Sequence, residues 1–455
     1  MSNVRAPLGF GELLTDNRLT LSTKNASILF SFSQCFPTEN CWRRKSALDF
    51  ATFDSLLTKM IPRRKVYTYP GESEHISDCV RRGDPGDPAL ISVWEQALAD
   101  YIGMPHAAVV NSGRRGLALT LSHFGLGTGD ELIIPAYTFG ELLPPIQGLG
   151  IMPVPADIDA TTLCLTPQTI EKRITPRTKA ILALHTFGIP CDMEGILDVG
   201  RSHSLPVIED CAHSLGATVG ERQTGSFGDA AFFSFEAIKP VNTFGGGLVV
   251  SRDKELIETI RNDSSAAPYD LDLLKSKVRS VRLERFLFDK RLASPLLYIL
   301  ATPSLKRAGS WLYHRMQHAV PARSGYTPLQ AEIGLKKLET LEERISGRSA
   351  THTLLSSLLR SEINVHTPDE NCRTSQYSFV VELPVSAARI RKRLLLKGVD
   401  AGIEDELTDN CAAILGDNDC HTLNSVYPRL LSLPLFDGIT DKQVQRVADV
   451  LNGLL

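Results

Sequence analysis

The stretch that decides the fold is HAAVVNSGRRGLALTLSHFGLGTGDELIIPAYTF, which runs from His106 to Phe139. It predicts a short apolar strand, a glycine turn, a helix with apolar residues at helical spacing, and a second strand, ELIIP. The glycines in GLGTGDE follow the helix rather than a strand. They therefore indicate a helix stop and a turn, and not a dinucleotide-binding motif. A strand, a helix and a strand in this order form the unit from which parallel sheets are built.

The same alternation continues to about residue 235. Continuous apolar runs occur in MPVPADID, KAILALHTF, LPVIEDCA and AAFFSFE, with helical segments such as DMEGILDVGRSHS between them. Strands that are apolar on both faces and are separated by helices predict an α/β fold with a mostly parallel sheet flanked by helices. In such sheets ligands usually bind at the carboxyl ends of the strands.

Changes in pattern divide the chain into four parts. Residues 1–62 form an N-terminal extension without a motif, 63–255 a large domain, 256–325 a basic insert, and 326–455 a smaller α+β domain. Between Lys275 and Arg323 the insert carries eleven Lys/Arg and two acidic residues, mixed with apolar runs. Two interpretations stay open: a solvated helical excursion that covers part of a dimer, or a peripheral contact of residues 275–320 with an anionic membrane surface.

Composition limits the class of protein. The 455 residues are 43% hydrophobic and 22% charged with a net charge of −3, which is typical of a soluble globular protein and does not favour a nucleic-acid partner. The nine cysteines are scattered and odd in number, so a reducing compartment and no metal site are expected. The apolar run ASILFSF is too short for a signal peptide or a membrane span, which predicts a cytoplasmic protein.

One candidate site is the turn NSGRRG, Asn111 to Gly116, between a predicted strand and a helix. Its small residues leave the backbone N–H groups of Gly113, Arg114 and Arg115 at the positive end of the helix, where an anion can bind. By itself the turn is a weak signal, since most turns of this kind only redirect the chain. The two arginine side chains suit an anion site but equally suit solvent.

Other candidates follow later strands. Asp210 ends the apolar run of VIEDCAHS, where it is either a functional carboxylate or the cap of a helix. Ser234 and Lys239 lie in FFSFEAIKPVNTFGGGLVV, in which an aliphatic cation stands between a strand and three glycines. Phe139 follows the strand ELIIP, and alone it fits the core as well as a ligand site.

As a set, these residues match the needs of pyridoxal phosphate. A lysine amine forms a Schiff base with the aldehyde, and a carboxylate keeps the ring nitrogen protonated so that the ring accepts electrons. The serine and the amides of NSGRR would hold the phosphate. Pro240 biases Lys239 away from helical geometry, and the glycines after it would let the backbone pass close to a bulky ligand.

The sequence resembles the DegT/DnrJ/EryC1/StrS family of sugar aminotransferases, which are fold-type I pyridoxal phosphate enzymes. The resemblance rests on NSGRRGLAL, GDELIIPAYTF, LPVIEDCAHSLGA and TGSFGDAAFFSFEAIKPVNTFGGGLVVSRD, and more weakly on YPRLLSLPLFDGITDKQVQRVADVL. It covers about residues 65–255 strongly and 325–455 weakly. The implied fold is a mostly parallel sheet with a smaller C-terminal domain, and the implied assembly is a homodimer.

The resemblance also implies roles for single residues. Lys239 would be the Schiff-base lysine and proton shuttle, Asp210 would pair with the ring nitrogen, and Phe139 would stack on the ring. His213 would lie near the ring hydroxyl. Ser234 would bind the phosphate together with the backbone around Gly113, Arg114 and Arg115.

The sequence departs from the family pattern in a few places. Glu236 stands where the family commonly has histidine or tyrosine, and FGGG replaces an acidic residue followed by two glycines. SGYTPLQAEIGL is shorter than its family counterpart, which usually supplies an asparagine or arginine to the partner subunit's site. For His185 at a strand end, we expect a structural hydrogen-bonding role rather than a catalytic one.

The predicted activity is transfer of an amino group from an amino acid, glutamate or glutamine, to a keto-sugar. The expected acceptor is nucleotide-linked and serves polysaccharide or glycosylated-metabolite biosynthesis, although a lipid-linked substrate also stays open. Alternatives are a dehydratase or cyclitol-type enzyme that uses the same lysine, and a non-catalytic protein that binds the cofactor.

Overall fold

The computed structural model describes residues 60–289 and 324–455. Residues 1–59, nearly all of the predicted N-terminal extension, and residues 290–323, about half of the predicted basic insert, therefore lie outside the described residues. The helices are α1 Glu72–Arg82, α2 Ala89–Ile102, α3 Gly113–His123, α4 Leu143–Gly148, α5 Pro167–Glu171, α6 Met193–His203, α7 Lys254–Ser265, α8 Leu271–Asp289, α9 Pro328–Leu338, α10 Leu341–Leu358, α11 Ala387–Leu396, α12 Cys411–Leu415, α13 His421–Val426 and α14 Asp441–Asn452.

The strands are β1 His106–Val110, β2 Glu131–Pro135, β3 Tyr137–Thr138, β4 Met152–Ala156, β5 Thr178–Leu184, β6 Val207–Asp210, β7 Thr218–Val219, β8 Arg222–Gln223, β9 Ala230–Ser234, β10 Gly247–Ser251, β11 Asn364–Val365, β12 Cys372–Arg373, β13 Phe379–Glu382, β14 Gly402–Ile403, β15 Asp409–Asn410 and β16 Leu430–Leu433.

The central sheet has seven strands in the order β1-β10-β9-β6-β5-β2-β4. All neighbouring pairs from β9 to β4 are parallel, which confirms the predicted α/β fold with a mostly parallel sheet. Strand β10 alone runs antiparallel to both of its neighbours, β1 and β9. The apolar pattern does not predict this reversal, because a strand buried on both faces reads the same in either direction.

Helices cover both faces of the sheet, as the continuous apolar runs predict. One core lies between the sheet and α3, α4 and α7, and another lies between the sheet and α2, α9 and α10. Within the first core, β2 is buried along its whole length. The segment PALISVWEQALADYIG predicts a helix that stops at Gly103, and α2 ends at Ile102 with Gly103 as its cap. The segment LQAEIGLKKLETLEERISGRSATHTLLSSLL predicts one or two helices, and it lies in α9 and α10.

The smaller C-terminal part has its own sheet of four strands in the order β11-β13-β16-β14. Helices α10, α11 and α14 pack against this sheet, and together they enclose a separate apolar core. The segments SQYSFVVELP, AARIRKRLLLKGVDAG and DKQVQRVADVLNGLL predict a strand and two helices here, which correspond to β13, α11 and α14. The segment before β13 leads back to the large sheet, so residues of this part contact the candidate site.

The described portion of the basic insert consists of α7 and α8. In α8, Leu274, Val278 and Val281 are buried against a cluster that includes Phe244 of the loop after Lys239. The start of the insert is therefore packed onto the large domain. Among the described residues, no helix combines the length and the apolar character needed to cross a membrane.

Candidate active site

The candidate site lies at the carboxyl ends of β6 and β9, beside the amino end of α3. Lys239 closes a turn just after β9, in which its backbone N–H donates to the Glu236 carbonyl oxygen over 2.9 Å. Ser234 ends β9 and pairs with Gly247 at the start of β10. Residues 235–246 therefore form a loop whose two ends are adjacent at one edge of the sheet.

Asp210 ends β6 and is 3% exposed. Burial raises its pKa to about 6, although the hydrogen bond from the Ala212 N–H (2.9 Å) and the positive charge of Lys239 act in the opposite direction. That hydrogen bond forms a local turn, and Asp210 does not cap a regular helix. A buried carboxylate whose charge is only partly compensated favours a positively charged group nearby.

The preceding residue, Glu209, is in a different environment. It is fully buried and accepts hydrogen bonds from the N–H groups of Phe227 (2.8 Å) and Gly228 (2.7 Å). His185 completes the arrangement: its Nδ1 accepts from the Cys191 N–H over 3.1 Å, so its Nε2 carries the hydrogen that is donated to Glu209 over 3.0 Å. Burial alone would raise the pKa of Glu209, but these hydrogen bonds hold it below its usual value.

These contacts give His185 the structural hydrogen-bonding role expected from the sequence. Ligating atoms of His185, Glu209 and Cys211 lie within 4.8 Å of one another, a grouping that in principle could hold a metal ion. Both ring nitrogens of His185 and both oxygens of Glu209 are, however, already engaged in the hydrogen bonds described above. The arrangement therefore fits a scaffold beneath Asp210 better than a metal site.

An aromatic stack adjoins Asp210 and ends at Lys239. The His213 ring is parallel to Phe187 (centroids 6.0 Å apart, interplanar angle 5°) and to Tyr377 (4.2 Å and 11°). Burial lowers the pKa of His213 well below its usual value, and the positive charge of Lys239 adds to this effect. Among the described residues, Nδ1 of His213 is buried and has no hydrogen-bond partner, so it can meet a polar atom of a ligand.

The turn predicted between a strand and a helix forms at the start of α3. Ser112 caps the helix, and its side chain accepts a hydrogen bond from the Arg115 N–H over 3.3 Å. The side chain of Arg114 pairs with Glu141 and that of Arg115 with Asp263. Because both guanidinium groups already have partners, anion binding at this turn depends on backbone N–H groups at the helix terminus.

Phe139 and Ser234 lie at strand ends that face the same region. Phe139 follows β3 and keeps 42% of its surface exposed, which is high for a phenylalanine that follows two buried strands. The next residue, Gly140, donates its N–H to Asp409 over 2.8 Å and fixes the chain at that point. The stacking role of Phe139 and the phosphate role of Ser234 stay predictions.

Residues of α9 and α10 hold the loop after Lys239 in place. Lys337, fully buried, donates to Glu72 (2.8 Å) and to the backbone and side-chain oxygens of Asn242 (both 2.9 Å). Arg344 donates to the Pro240 carbonyl oxygen over 2.7 Å. The position of the Lys239 backbone thus depends on two buried cations that lie about a hundred residues further along the chain.

One of the three glycines after Lys239 is needed for packing within the protein, whereas the expectation that they let the backbone pass close to a ligand stays a prediction. Gly246 adopts a φ of +90°, and a Cβ there would lie 2.4 Å from ring atoms of Tyr326. The Tyr326 hydroxyl donates to Thr243 over 3.0 Å and fixes the same loop. At Gly246 the glycine is therefore required by close packing of the protein on itself.

Sequence reasoning missed two polar side chains at the site. Tyr377 contacts Lys239 from the C-terminal part, and Lys277 of α8 pairs with Glu236 over 2.8 Å. Both contacts join residues distant in sequence, which no local pattern reveals. Tyr377, like Phe139, is an aromatic residue close to one end of a strand. This feature could have marked Tyr377 as a candidate.

The residues present fit pyridoxal phosphate. Asp210 offers a buried carboxylate for a protonated ring nitrogen, His213 offers an unpaired Nδ1, and the capped start of α3 offers N–H groups to a phosphate. Lys239 supplies an amine in the same region, since its charge acts on both Asp210 and His213. Exposed Phe139 offers an aromatic face.

Comparison with known proteins finds similarity to aminotransferases. The model of the DegT/DnrJ/EryC1/StrS aminotransferase family matches residues 88–452. GDP-perosamine synthase of Caulobacter vibrioides is 31% identical over 376 residues, covering 80% of this chain and 90% of that protein. UDP-N-acetyl-3-dehydro-alpha-D-glucosamine 3-aminotransferase of Acidithiobacillus ferrooxidans is 40% identical over 184 residues, covering 40% of this chain and 50% of its own.

Solved structures share the fold. The aminotransferase TlmJ from Streptoalloteichus hindustanus superposes with a TM-score of 0.70 at 22% identity, over 87% of this chain and 98% of its own. DesI, solved in the presence of its TDP-sugar product, gives a TM-score of 0.66 at 25% identity, over 87% of this chain and 92% of its own.

Proposed function

Since the chain belongs to the DegT/DnrJ/EryC1/StrS aminotransferase family, we propose that this pyridoxal phosphate-dependent enzyme moves an amino group from glutamate or glutamine to the keto group of a nucleotide-linked sugar. The observation that carries the proposal is the grouping of Lys239, Asp210 and His213 at the carboxyl ends of adjacent strands. The names of two relatives, a GDP-perosamine synthase and a UDP-sugar 3-aminotransferase, support a nucleotide-linked acceptor.

Each residue has a definite task in this proposal. The bound cofactor supplies a ring that accepts electrons from the substrate carbon. Asp210 holds the proton on the ring nitrogen, and its burial strengthens that interaction because little water competes. Lys239 binds the cofactor and then moves a proton to and from the substrate carbon as general base and acid.

The remaining residues orient the reacting groups. The N–H groups around Gly113 and Arg114 and the hydroxyl of Ser234 would bind the phosphate of the cofactor. Phe139 would offer its ring for stacking, and His213 would donate to or accept from the ring hydroxyl through Nδ1. Fixed orientation of this kind lowers the activation barrier by removing rotational freedom before the reaction.

The test of the proposed function uses purified protein incubated with pyridoxal phosphate. We expect a visible absorption band, and we expect borohydride followed by peptide mass spectrometry to place the cofactor on Lys239. Addition of glutamate should change the band, and a nucleotide-linked keto-sugar should then yield the amino-sugar. Lys239→Ala should abolish the band, whereas Lys254→Ala, at an exposed ion pair of α7, should retain it.

Other outcomes would overturn the proposal. Loss of a hydroxyl from the sugar without nitrogen transfer would identify a dehydratase, and amination of a cyclic polyol ketone alone would identify a cyclitol enzyme. A band that does not respond to any amino donor or keto-sugar would indicate a protein that binds the cofactor without catalysis.

The proposal extends to a cytoplasmic homodimer with a peripheral membrane contact through residues 275–320. The described start of this segment supports such a contact, because Leu283 and Phe286 are 55% and 51% exposed on a helix that also carries Arg279 and Arg282. Apolar side chains beside basic ones suit an anionic lipid surface.

Co-sedimentation with vesicles tests the membrane contact. We expect the protein to bind vesicles that contain phosphatidylserine, and the double variant Leu283→Glu/Phe286→Glu to bind several-fold more weakly because acidic side chains oppose insertion. Vesicles of phosphatidylcholine alone are the control for charge. Equal binding of the variant and the unmodified protein would exclude a contact through α8.

A further inference from the structure

Tyr377 lies against the side chain of Lys239. The Lys239 Nζ donates to the Tyr377 hydroxyl oxygen over 3.5 Å, at the long end of the hydrogen-bonding range, and lies 4.8 Å from the centroid of the ring. The ring also stacks on His213, with centroids 4.2 Å apart. One aromatic side chain from the C-terminal part thus contacts two residues of the candidate site.

The segment that carries Tyr377 is fixed to the large sheet. The Ser375 N–H donates to the Gly188 carbonyl oxygen over 3.2 Å, and the Ser375 hydroxyl donates to the His213 carbonyl oxygen over 2.6 Å. These bonds join residue 375 to the loops that follow β5 and β6. Tyr377, two residues further on, is therefore placed by the same elements that place Asp210.

The contact has a predictable effect on a lysine amine. The face of an aromatic ring attracts a cation within about 6 Å, and the attraction is greater where water is excluded. The phenol oxygen, as an acceptor, adds to this attraction. Both contacts restrict where the nitrogen can lie.

We propose that Tyr377 is a positioning residue for Lys239: its ring face and hydroxyl oxygen hold the amine beside Asp210 and His213. The inference rests on the proposed function, in which that nitrogen carries the cofactor and moves protons. It adds to the predicted site a side chain from the C-terminal part of the chain.

Other titratable groups act on the same nitrogen and are present in every variant below. Asp210 attracts the charged amine from β6, whereas His213 is held neutral by burial. Glu236 begins the turn that Lys239 closes, but it is paired with Lys277 of α8. Replacement of Tyr377 alone therefore isolates the contribution of the aromatic side chain.

The experiment measures the pH midpoint of the visible absorption change in purified holoenzyme, which reports protonation of the Lys239 nitrogen bonded to the cofactor. Tyr377→Leu and Tyr377→Gln both remove the ring, one with an apolar and one with a polar side chain. We expect both to move the midpoint to lower pH by roughly one unit, because the cofactor-bonded nitrogen in its charged form would lose the attraction of the ring face. Tyr377→Phe keeps the ring and should retain most of the unmodified midpoint.

A matched control is Tyr427→Leu, which removes a ring packed edge-on against Tyr137 in the same part of the chain. We expect it to lower the melting temperature without moving the midpoint. Circular dichroism checks that each variant is folded, and if Tyr377→Leu does not fold, Tyr377→Gln carries the comparison. The turnover number should also fall more than the Michaelis constant rises in the ring-deletion variants.

An unchanged midpoint in folded, cofactor-bearing Tyr377→Leu or Tyr377→Gln would overturn the inference while leaving the proposed function intact. An equal shift in Tyr427→Leu would also overturn it, because the effect would then be a general loss of packing. Absence of the band from the unmodified protein would instead contradict the proposed function itself.

Discussion

Glu209 and Asp210 are adjacent carboxylates at the end of one strand, yet the protein treats their charges in opposite ways. Glu209 receives hydrogen bonds from His185 and from backbone N–H groups, and these lower its pKa despite burial. Asp210 receives one from Ala212, and burial raises its pKa to about 6. The protein thus satisfies the charge of Glu209 and compensates that of Asp210 only in part.

We predict that Asp210→Asn stabilises the cofactor-free protein in a pH-dependent way. Between about pH 4 and 6 the folded protein binds more protons at Asp210 than the unfolded chain, so unmodified protein loses stability as pH rises through this window. The Asp210→Asn variant has no carboxyl group at this position, so it does not lose stability in this way. Its free energy of unfolding, relative to the unmodified protein, should therefore rise by about 2 kcal/mol from pH 4 to pH 8, as measured by urea titration of cofactor-free protein.

Glu209→Gln serves as the control of opposite sign. The pKa of Glu209 is lowered in the folded state, so its stabilisation is present at pH 8 and is lost as pH falls. The free energy of unfolding of Glu209→Gln, relative to the unmodified protein, should therefore be lower at pH 8 than at pH 4. Parallel curves for Asp210→Asn and the unmodified protein across this range would contradict the assignment.

At the scale of elements, the loop of residues 235–246 is anchored by helices α9 and α10, mainly through Lys337 and Arg344. Lys337 and its partner Glu72 are both fully buried, and a buried charge without a partner is costly. The loop that carries Lys239 is thus fixed by an ion pair that could not be recognised locally, since Glu72 and Lys337 are 265 residues apart.

We predict that Lys337→Met destabilises the protein by about 3–5 kcal/mol, because the carboxylate of Glu72 would be left buried and unpaired. The double variant Lys337→Met/Glu72→Gln should recover much of that loss. The neighbouring Lys336→Met is the matched control: its ion pair with Glu332 is 46% exposed on the lysine side, so we expect a change below about 1 kcal/mol. Urea unfolding of the variants measures all differences, and equal effects of Lys336→Met and Lys337→Met would refute the argument.

The elements themselves were largely predictable, and their contacts were not. Apolar runs located the parallel strands, and Gly103 located the end of α2, because these features depend on local spacing and backbone preference. The direction of β10 and the contacts of Tyr377 and Lys277 depend on how distant segments meet. Such contacts leave no periodic signal in a single sequence.

At the scale of the whole molecule, the C-terminal part is docked on the large sheet through Ser375 and Gly188. Gly188 adopts a φ of +86°, and a Cβ there would lie 2.1 Å from Ser375 Oγ and 2.9 Å from the His213 carbonyl oxygen. The docking is therefore close enough to exclude any side chain at position 188. It brings Tyr377 to the site and joins the two parts.

We predict that Gly188→Ala is more destabilising than Gly438→Ala. Gly438 has a similar φ of +83°, but a methyl group there would meet no heavy atom within 4 Å, so alanine costs only backbone strain, about 1 kcal/mol. At position 188 overpacking adds about 1–3 kcal/mol. Chemical unfolding measures the difference, and similar losses in the two variants would show that the docking accommodates a methyl group.

In the candidate site, too, residues that follow strands could be predicted from the sequence, whereas contacts between distant segments could not. The turn at Gly113, the carboxylate Asp210 and Lys239 could be found because each follows an apolar strand, and strand ends meet at one edge of a parallel sheet. Glu236 could be noticed only as a departure from the family pattern. Its partner Lys277 is identifiable only from the packing of α8 over the loop.

The reversal of β10 has a consequence for how such enzymes can diversify. Since Ser234 and Gly247 face each other across the ladder, the intervening segment leaves and re-enters the sheet at neighbouring positions. Insertions or deletions between these two residues would not alter any crossover connection. The segment that carries Lys239 can thus change in length without altering the strand order of the sheet on either side of it.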